Sequence, residues 1–222
     1  MEPKIILSPR LQAVAAFIPK GTILGDIGTD HAYLPIAVIQ QGLCEKAIAC
    51  DLHPGPLAIA EKNIQGAGLY GKIETRLGNG LLPLTPGEAD CIVIAGMGGM
   101  RIWGIISEGM EQAQQGKLIL QPQHDIPLLR KNLHVAGFEI LDETLVRENN
   151  HFYVVMSAEY NGGEYSWNER EYFLGKFLIE KTGENFSEFM CHEREKINKY
   201  ISQVKDAKSL ACAKKRLDWL KL

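Results

Sequence analysis

Hydrophobic and polar positions alternate along the first 160 residues with two different periods. Short, nearly continuous apolar runs predict strands, and segments with apolar positions three or four residues apart predict helices. The predicted strands are residues 22–27, 46–51, 72–78, 90–96, 117–122, 138–148 and 151–160. The predicted helices are residues 8–17, 32–42, 55–67, 99–114 and 125–136. This alternation predicts an α/β domain with a doubly wound, mainly parallel sheet.

The last two predicted strands are separated only by Asn149 and Asn150. A two-residue connection is typical of an antiparallel hairpin, whereas parallel strands need a longer crossover. The strands that begin at residues 22, 46, 90 and 117 are nearly continuous apolar runs, as expected where helices cover both faces. The pattern therefore predicts five parallel strands followed by an antiparallel hairpin.

The composition changes after residue 160. The segment NGGEYSW (161–167) is typical of a linker. Beyond it, residues 167–182 and 184–222 are charged and have helical periodicity, with a predicted turn at Ala207–Ser209. We therefore expect two domains, residues 1–162 and residues 163–222. The second is expected to be a helical hairpin that resembles a short antiparallel coiled coil.

The distribution of charge distinguishes this tail from the sheet domain. The chain has 222 residues and a net charge of −3. Residues 1–163 carry 12 Lys and Arg against 17 Asp and Glu, whereas residues 164–222 carry 12 against 10. An anionic partner would therefore meet the tail rather than the sheet domain. The tail lysines form either a solvated face or an RNA contact: Lys205, Lys208, Lys214, Lys215 and Lys221.

Several classes of protein are disfavoured. No apolar run approaches the roughly 20 residues that span a bilayer, and the N-terminal MEPKIILSPR has no signal-peptide pattern. The five cysteines form no CxxC, and no Cys/His quartet has the spacing of zinc ligands. We therefore expect a cytoplasmic protein without a membrane span or a bound metal.

The candidate chemistry begins at the first strand end, in GDIGTDHAYLPI (25–36). Ligands of open α/β sheets bind at the carboxyl ends of the strands. A dinucleotide site would have GxGxxG, but only Gly28 is present here. Asp26 and Asp30 disfavour a phosphate and favour a ligand with a cationic part, such as an ammonium or a sulfonium group.

The next strand ends continue this pattern. Asp51, in ACDLHPGPL, is placed to accept from ribose hydroxyls. Asn79 and Gly80, in GNGL, could contact an adenine edge. The glycines of IAGMGGM (94–100) could form a flat floor on which Met97 packs against a ring. These residues could also have purely structural roles: Asp26 as a strand-end acid, Asp51 as a turn acid, and Gly98 and Gly99 as turn glycines.

The fifth strand end, QPQ (121–123), is equally compatible with a structural and a substrate-facing role. His31 could contact a ligand or only cap the following helix, and His53 and His124 are read as solvated or capping side chains.

Taken together, DIGTDHAYLPI, ACDLHPGPL, GNGL, AGMGG and the helical tail resemble the bacterial tRNA adenine-22 N1-methyltransferase family. The resemblance covers essentially the whole chain. It implies a Rossmann-like methyltransferase sheet with a C-terminal coiled coil, S-adenosylmethionine as cofactor and tRNA as partner. The implied reaction is methylation of adenine N1 at position 22 of the tRNA D-loop. We expect a cytoplasmic monomer.

The expected site residues follow from the strand ends and this resemblance. The cofactor-binding residues are Arg10, Asp26, Gly28, His31, Asp51, Leu52, Asn79, Gly80, Ala95, Gly96 and Met97. The catalytic candidates are Asp30, Asp26 and His31, of which Asp30 is the first candidate for stabilising the cationic product. The substrate-binding candidates are Tyr33, Gly98 and Gln121.

Two departures from the broader methyltransferase pattern bear on the site. The usual acid-x-Gly-x-Gly-x-Gly has Asp30 and Ala32 in place of its second and third glycines, so Arg10 or His31 would have to supply a donor to the methionine carboxylate. AGMGG replaces the Asn-Pro-Pro-Tyr signature of amino-group methyltransferases, which argues against an exocyclic amine as target.

Two alternatives to a tRNA methyltransferase remain open. One keeps the cofactor but acts on a small molecule, a protein or another RNA, which the acidity of the sheet domain favours. The other is a cofactor-binding interaction module without catalysis. An NAD enzyme is disfavoured by the missing GxGxxG.

Overall fold

The computed structural model, which describes residues 5–221, contains seven strands and ten helices in that range. The strands are β1 (Thr22–Ile27), β2 (Cys44–Asp51), β3 (Ile73–Leu77), β4 (Cys91–Met97), β5 (Lys117–Pro122), β6 (Phe138–Glu148) and β7 (His151–Tyr160). The helices are α1 (Pro9–Ala16), α2 (Tyr33–Gln40), α3 (Pro54–Gly66), α4 (Gly99–Glu108), α5 (Met110–Ala113), α6 (Ile126–Val135), α7 (Glu169–Leu174), α8 (Lys176–Lys181), α9 (Glu184–Ile201) and α10 (Ala207–Trp219). The terminal residues of the two expected domains, Met1 and Leu222, lie outside the described residues.

The strands form one mixed sheet in the order β3-β2-β1-β4-β5-β7-β6. Strands β1 to β5 are parallel, and β7 pairs antiparallel with both β5 and β6. The predicted fold is therefore confirmed, including the antiparallel end. The chain moves outward on one side of β1 through β2 and β3, then returns to β4 on the other side. This reversal opens a crevice beyond the carboxyl ends of β1 and β4.

The central strands are buried on both faces, as their apolar runs predict. Leu24, Val93 and Ile119 have no exposed surface, and each lies in the middle of a parallel strand. Burying a side chain of this size contributes roughly 1.5–3 kcal/mol. The core therefore fixes the strands, and their polar carboxyl ends project beyond it.

Two predicted helices are interrupted at glycines. The predicted helix 99–114 is divided at Gly109, whose ψ of 44° is not helical and where a Cβ would lie 2.5 Å from the Leu81 Cβ. The predicted helix 167–182 is divided at Gly175, whose φ of 96° is incompatible with a continuous α-helix. Both breaks are consequences of local backbone conformation or contact, which periodicity does not record.

The predicted turn at Ala207–Ser209 is wrong. The Asp206 side chain accepts hydrogen bonds from Lys208 N and Ser209 N, both at 3.0 Å, and so caps the first turn of α10. The connection between α9 and α10 is instead residues 202–206.

The chain divides into two compact units, Met1–Tyr165 and Ser166–Leu222. In the second unit, α9 and α10 pack against each other, and Arg194 donates to the Leu220 carbonyl. Among residues 5–221, no helix has the length and apolar character needed to cross a bilayer.

Candidate active site

A cleft of about 740 Å³ opens at the carboxyl ends of β1 to β4 in the first unit. Its lining combines the loops that follow these strands with Arg10 of α1 and with one face of α4. A cavity of about 1090 Å³ lies at the opposite, amino ends of β1 to β3 and contains Lys46, Lys72 and Glu74. We assign the active site to the first cleft because ligands of open α/β sheets bind at the carboxyl ends.

Asp26, at the end of β1, is the most deeply buried acid of the cleft, with 6 % of its surface exposed. Thr29 Oγ1 donates to Asp26 Oδ2 at 2.6 Å. Burial raises the pKa of the Asp26 carboxyl to about 6; the Thr29 hydrogen bond opposes this shift, and the charge of Asp51 adds to it. A cation bound beside Asp26 would reverse the shift and keep the carboxylate ionised.

The turn after β1 has an unusual backbone. Gly28, Asp30 and Ala32 have φ values of 75°, 51° and 57°, so two non-glycine residues lie in the left-handed region. The N–H groups of Gly28 and Thr29 donate to the Cys50 carbonyl at 2.8 and 3.0 Å. These donors are therefore engaged within the fold, and the turn does not form a cradle of N–H groups for a phosphate.

His31 lies in this turn between Asp30 and Tyr33. Its Nε2 is 3.5 Å from Asp30 Oδ2, and its ring stacks on Tyr33 with a centroid distance of 5.2 Å. Its Nδ1 is buried and has no hydrogen-bond partner within the described part of the chain. The reading of His31 as a helix cap is not supported, because α2 begins after Ala32 without a side-chain cap.

Asp51 and Asn79 line the cleft from the ends of β2 and β3. Asp51 Oδ1 accepts from His53 N at 2.9 Å, so one carboxylate oxygen fixes the following turn. Asn79 Nδ2 donates to Glu108 Oε2 of α4 at 2.9 Å. The amide of Asn79 is thus held in place by α4.

The loop that carries Asn79 and Gly80 is anchored by Arg76 of β3. The Arg76 guanidinium donates to both carboxylate oxygens of Glu88, at 2.7 and 2.6 Å, and to the Pro83 carbonyl at 3.0 Å. Hydrogen bonding to Arg76 lowers the pKa of Glu88 to about 2. A bidentate pair of this geometry restrains both ends of the loop.

Gln121, expected to bind substrate, is instead fully buried. Its Oε1 accepts from Arg10 Nη1 at 2.7 Å and from Gly96 N at 3.1 Å, and its Nε2 donates to the Pro122 carbonyl at 3.0 Å. The amide is therefore engaged on both sides and is not available to a substrate. Gln121 holds the Arg10 guanidinium and the backbone of Gly96 in the cleft.

Gly98, the second substrate candidate, does not line the cleft. A Cβ at Gly98 would lie 2.3 Å from the His124 ring, and one at Gly99 would lie 2.8 Å from the carbonyl oxygens of His124 and Asp125. These glycines therefore allow the loop after β4 to pack on the loop after β5, and they do not form the expected flat floor. Tyr33, the third substrate candidate, does line the cleft and is 47 % exposed.

The remaining expected residues are brought together. The cleft contains all eleven predicted cofactor-binding residues and all three catalytic candidates. It also contains Thr29, Arg101 and Glu108, which no sequence motif identifies as site residues. Gln123, for which the sequence is compatible with a structural or a substrate-facing role, lines the cleft as well. Arg101 and Glu108 are seven residues apart on α4, and this spacing places two polar side chains on one helix face.

A mostly parallel sheet with a seventh, antiparallel strand, and with acids at the ends of β1 and β2, defines a Rossmann-like methyltransferase. In agreement, the family model described as "Methyltransferase domain" matches residues 7–156.

Comparisons with individual proteins narrow this class. The tRNA (adenine(22)-N(1))-methyltransferase of Bacillus subtilis is 32 % identical over 216 residues, which cover 95 % of this chain and 91 % of the relative. The crystal structure of the B. subtilis m1A22 tRNA methyltransferase TrmK superposes with a TM-score of 0.87 at 32 % identity, covering 98 % of each chain. Streptococcus pneumoniae Sp1610, solved in complex with S-adenosyl-L-methionine, superposes with a TM-score of 0.89 at 33 % identity, covering 97 % of this chain and 98 % of that one. The chain belongs to the tRNA (adenine-22-N1)-methyltransferase family.

Proposed function

We propose that this protein is an S-adenosylmethionine-dependent methyltransferase that forms N1-methyladenine at position 22 of the tRNA D-loop. The observation that carries the proposal is the extent of the family match, which covers 95 % of the chain and therefore includes both units. The acidic cleft at the carboxyl ends of the strands supports it independently, because its chemistry suits a cationic cofactor.

The residues of the cleft fit this cofactor. The buried carboxylate of Asp26 suits an ammonium group, and the unpartnered Nδ1 of His31 and the guanidinium of Arg10 suit a carboxylate. The second carboxylate oxygen of Asp51 can accept from ribose hydroxyls. Gly28 has a φ of 75°, which disfavours a side chain, and a Cβ there would displace the Met97 side chain, whose Cε would lie 2.3 Å away.

The remaining contacts to the cofactor are assigned to the loops after β2, β3 and β4. These contacts are Leu52, Asn79, Gly80, Ala95, Gly96 and Met97. When bound, S-adenosylmethionine supplies an electrophilic methyl group on a sulfonium centre.

The chain itself has to align adenine N1 with that methyl group and to stabilise the positive charge that the base acquires. We assign charge stabilisation to Asp30, which lines the cleft, whose side chain is 69 % exposed and whose Oδ2 lies 3.5 Å from His31 Nε2. Asp26 is the second candidate. Tyr33 supplies an exposed ring on which the unstacked base can pack.

We assign catalysis and contact with the target base to residues 1–162, and contacts with the rest of the tRNA to residues 163–222, with α9 and α10 as a coiled-coil hairpin. The enzyme is proposed to act as a monomer in the cytoplasm without a metal. Within residues 5–221, no group of three His, Cys, Asp or Glu side chains could hold a metal ion. The acidity of residues 1–163 favours the competing proposal, a methyltransferase that acts on a small molecule, a protein or another RNA.

Incubation with methyl-labelled S-adenosylmethionine and total bacterial tRNA, followed by nucleoside analysis, tests the proposal. We expect the label in N1-methyladenosine. A tRNA transcript with guanine at position 22 is the matched control and should remain unlabelled. Label in another nucleoside, or cofactor binding without transfer to tRNA, would contradict the proposed reaction.

A further inference from the structure

The two glutamines at the end of β5 have opposite environments. Gln121 is fully buried and its amide is engaged, whereas Gln123 is exposed and lines the cleft. Within residues 5–221, the Gln123 side-chain amide has no hydrogen-bond partner. An amide with a free donor and a free acceptor in the cleft is able to contact a substrate.

The backbone around Gln123 is held firmly. Gln123 N donates to the Met97 carbonyl at 2.8 Å, and Gly99 N donates to the carbonyl of the next residue, His124, at 2.8 Å. The His124 ring covers Gly98, and its Nδ1 is 2.8 Å from Asp125 Oδ2. The loop that carries Gln123 is therefore anchored to the loop after β4.

The amide lies at the part of the cleft formed by Gly96 and Arg10, both of which the proposed function assigns to the cofactor. A Cβ built on Gly96 would lie 3.9 Å from Gln123 Nε2 and 3.7 Å from Arg10 Nη1. The amide and the guanidinium therefore lie over the same backbone position, beside the end of β4. Gln121 holds Arg10 Nη1, and the proposed function assigns the guanidinium to the cofactor carboxylate, so Gln123 is the polar side chain of this group that is left for a substrate.

The chemistry of N1 methylation limits how the enzyme can recognise adenine. The N1 lone pair must face the methyl donor, so this edge of the base is occupied by the reaction. The adjacent edge presents the N6 amino group as a donor and N7 as an acceptor. A glutamine amide matches that pair with two hydrogen bonds, its oxygen accepting from N6 and its nitrogen donating to N7. Guanine presents acceptors at both positions and leaves the glutamine oxygen unpaired.

We propose that Gln123 is a specificity-determining residue that recognises the N6–N7 edge of the target adenine, a proposal that rests on the proposed tRNA methyltransferase function. Two hydrogen bonds of this type discriminate against a wrong base by about tenfold to a hundredfold. The proposal gives separate roles to the two glutamines, since Gln121 positions Arg10 and Gln123 reads the base.

The test combines Gln123→Ala with a tRNA transcript that carries 7-deazaadenine at position 22. This base retains N1 and N6 but lacks the N7 acceptor. We expect the wild type to lose about tenfold in kcat/KM on the modified transcript, and Gln123→Ala to lose about the same factor on normal tRNA. The variant should distinguish the two transcripts by less than about twofold, because its hydrogen bond to N7 is already absent.

The second readout is tRNA affinity, measured by fluorescence anisotropy with S-adenosylhomocysteine present. The loss of affinity caused by the modified base should again be smaller in Gln123→Ala than in the wild type. Gln65→Ala, at an exposed glutamine of α3 outside this cleft, is the matched control and should behave as the wild type. Unchanged cofactor affinity of Gln123→Ala by calorimetry establishes that the variant is folded.

Two results would overturn the proposal. One is full activity of Gln123→Ala on normal tRNA. The other is a decrease on the modified transcript that is as large in Gln123→Ala as in the wild type. Failure of the wild type to methylate the normal transcript would instead contradict the proposed function itself, so the two failures are distinguishable.

Discussion

The charge of Asp26 depends on pH in the range where most proteins remain folded, because burial raises the pKa of its carboxyl to about 6. A cationic ligand beside Asp26 requires the carboxylate, so binding below pH 6 is coupled to loss of a proton. We expect the affinity for S-adenosylmethionine to fall roughly tenfold between pH 7 and pH 5. In Asp26→Asn, the affinity should be lower at pH 7 but nearly independent of pH, as measured by calorimetry. A pH dependence that persists in Asp26→Asn would assign it to another group.

The raised pKa of Asp26 also affects the stability of the cofactor-free protein, and this effect provides a control for the binding experiment. Because the folded pKa of Asp26 is raised, the neutral form is favoured in the folded protein, and stability is lost as the pH rises through about 6. Asp26→Asn should therefore increase the free energy of unfolding at pH 7 by up to roughly 3 kcal/mol and change it much less near pH 4. Urea unfolding of the cofactor-free protein measures both values.

For single residues, the sequence predicts which of them line the cleft. It does not predict which partners each side chain contacts there. The carboxyl ends of parallel strands meet at one edge, so the motif residues of four strands could be collected without a structure. In a continuing strand, Gln121 and Gln123 would lie on one face, but β5 ends at Pro122 and their environments diverge. The role of Gly98 depends on the His124 ring, which is 26 residues away in the sequence.

The loop between β3 and β4 is fixed to its own strand by the Arg76–Glu88 pair. Glu88→Gln removes the charged partner, so the loop that carries Asn79 and Gly80 should become more mobile. We expect a decrease of about 1 kcal/mol in the free energy of unfolding at pH 7 and a roughly fivefold weaker affinity for S-adenosylmethionine. Because the pKa of Glu88 is lowered to about 2, the stability difference should disappear as the pH falls towards that value.

Glu74→Gln provides the matched control. Glu74 also accepts hydrogen bonds from Arg76 but belongs to β3 itself and does not hold the loop. This variant should therefore leave cofactor affinity unchanged. Equal decreases of affinity in the two variants would show that the charge of Arg76, rather than the loop, is responsible.

The sequence predicts helices and strands well where burial of apolar residues determines them. It predicts their boundaries less well where the conformation or contact of a single residue determines the boundary. The apolar runs of the five parallel strands report their burial directly. The break at Gly175 and the cap at Asp206 depend on one backbone conformation and one side-chain contact. Glycine and aspartate also occur in positions with neither effect, so these boundaries require the structure.

The distribution of free and paired lysines in the second unit gives a testable consequence for tRNA binding. Lys215 and Lys221 form ion pairs with Glu169 and Asp218, whereas Lys205 and Lys208 have no acidic partner within residues 5–221. If this unit contacts tRNA, the free lysines are the ones that can bind phosphates. We expect Lys205→Gln with Lys208→Gln to weaken tRNA binding and to reduce its salt dependence by up to about 0.9 in slope for each phosphate that is no longer neutralised.

The double variant Lys215→Gln with Lys221→Gln changes the net charge by the same amount and is the control. Its tRNA affinity, measured over a range of salt concentrations, should remain close to that of the wild type. Equal effects of the two double variants would indicate a general dependence on net charge, and no effect of either would show that these lysines bind no phosphate.

The strand order also determines when the cleft can form during synthesis on the ribosome. Strand β7 lies between β5 and β6, so β6 has no place in the sheet until β7 has left the exit tunnel. A nascent chain that stops near Asn150 therefore exposes the edge of β5, an open template for pairing with other chains. The contacts of helix α1 are also completed only by this hairpin, because α1 packs on β6 and Arg10 N donates to Glu148 Oε2. Helix α1, which carries Arg10 into the cleft, is thus synthesised early but gains its full set of contacts late, after some 160 residues have emerged.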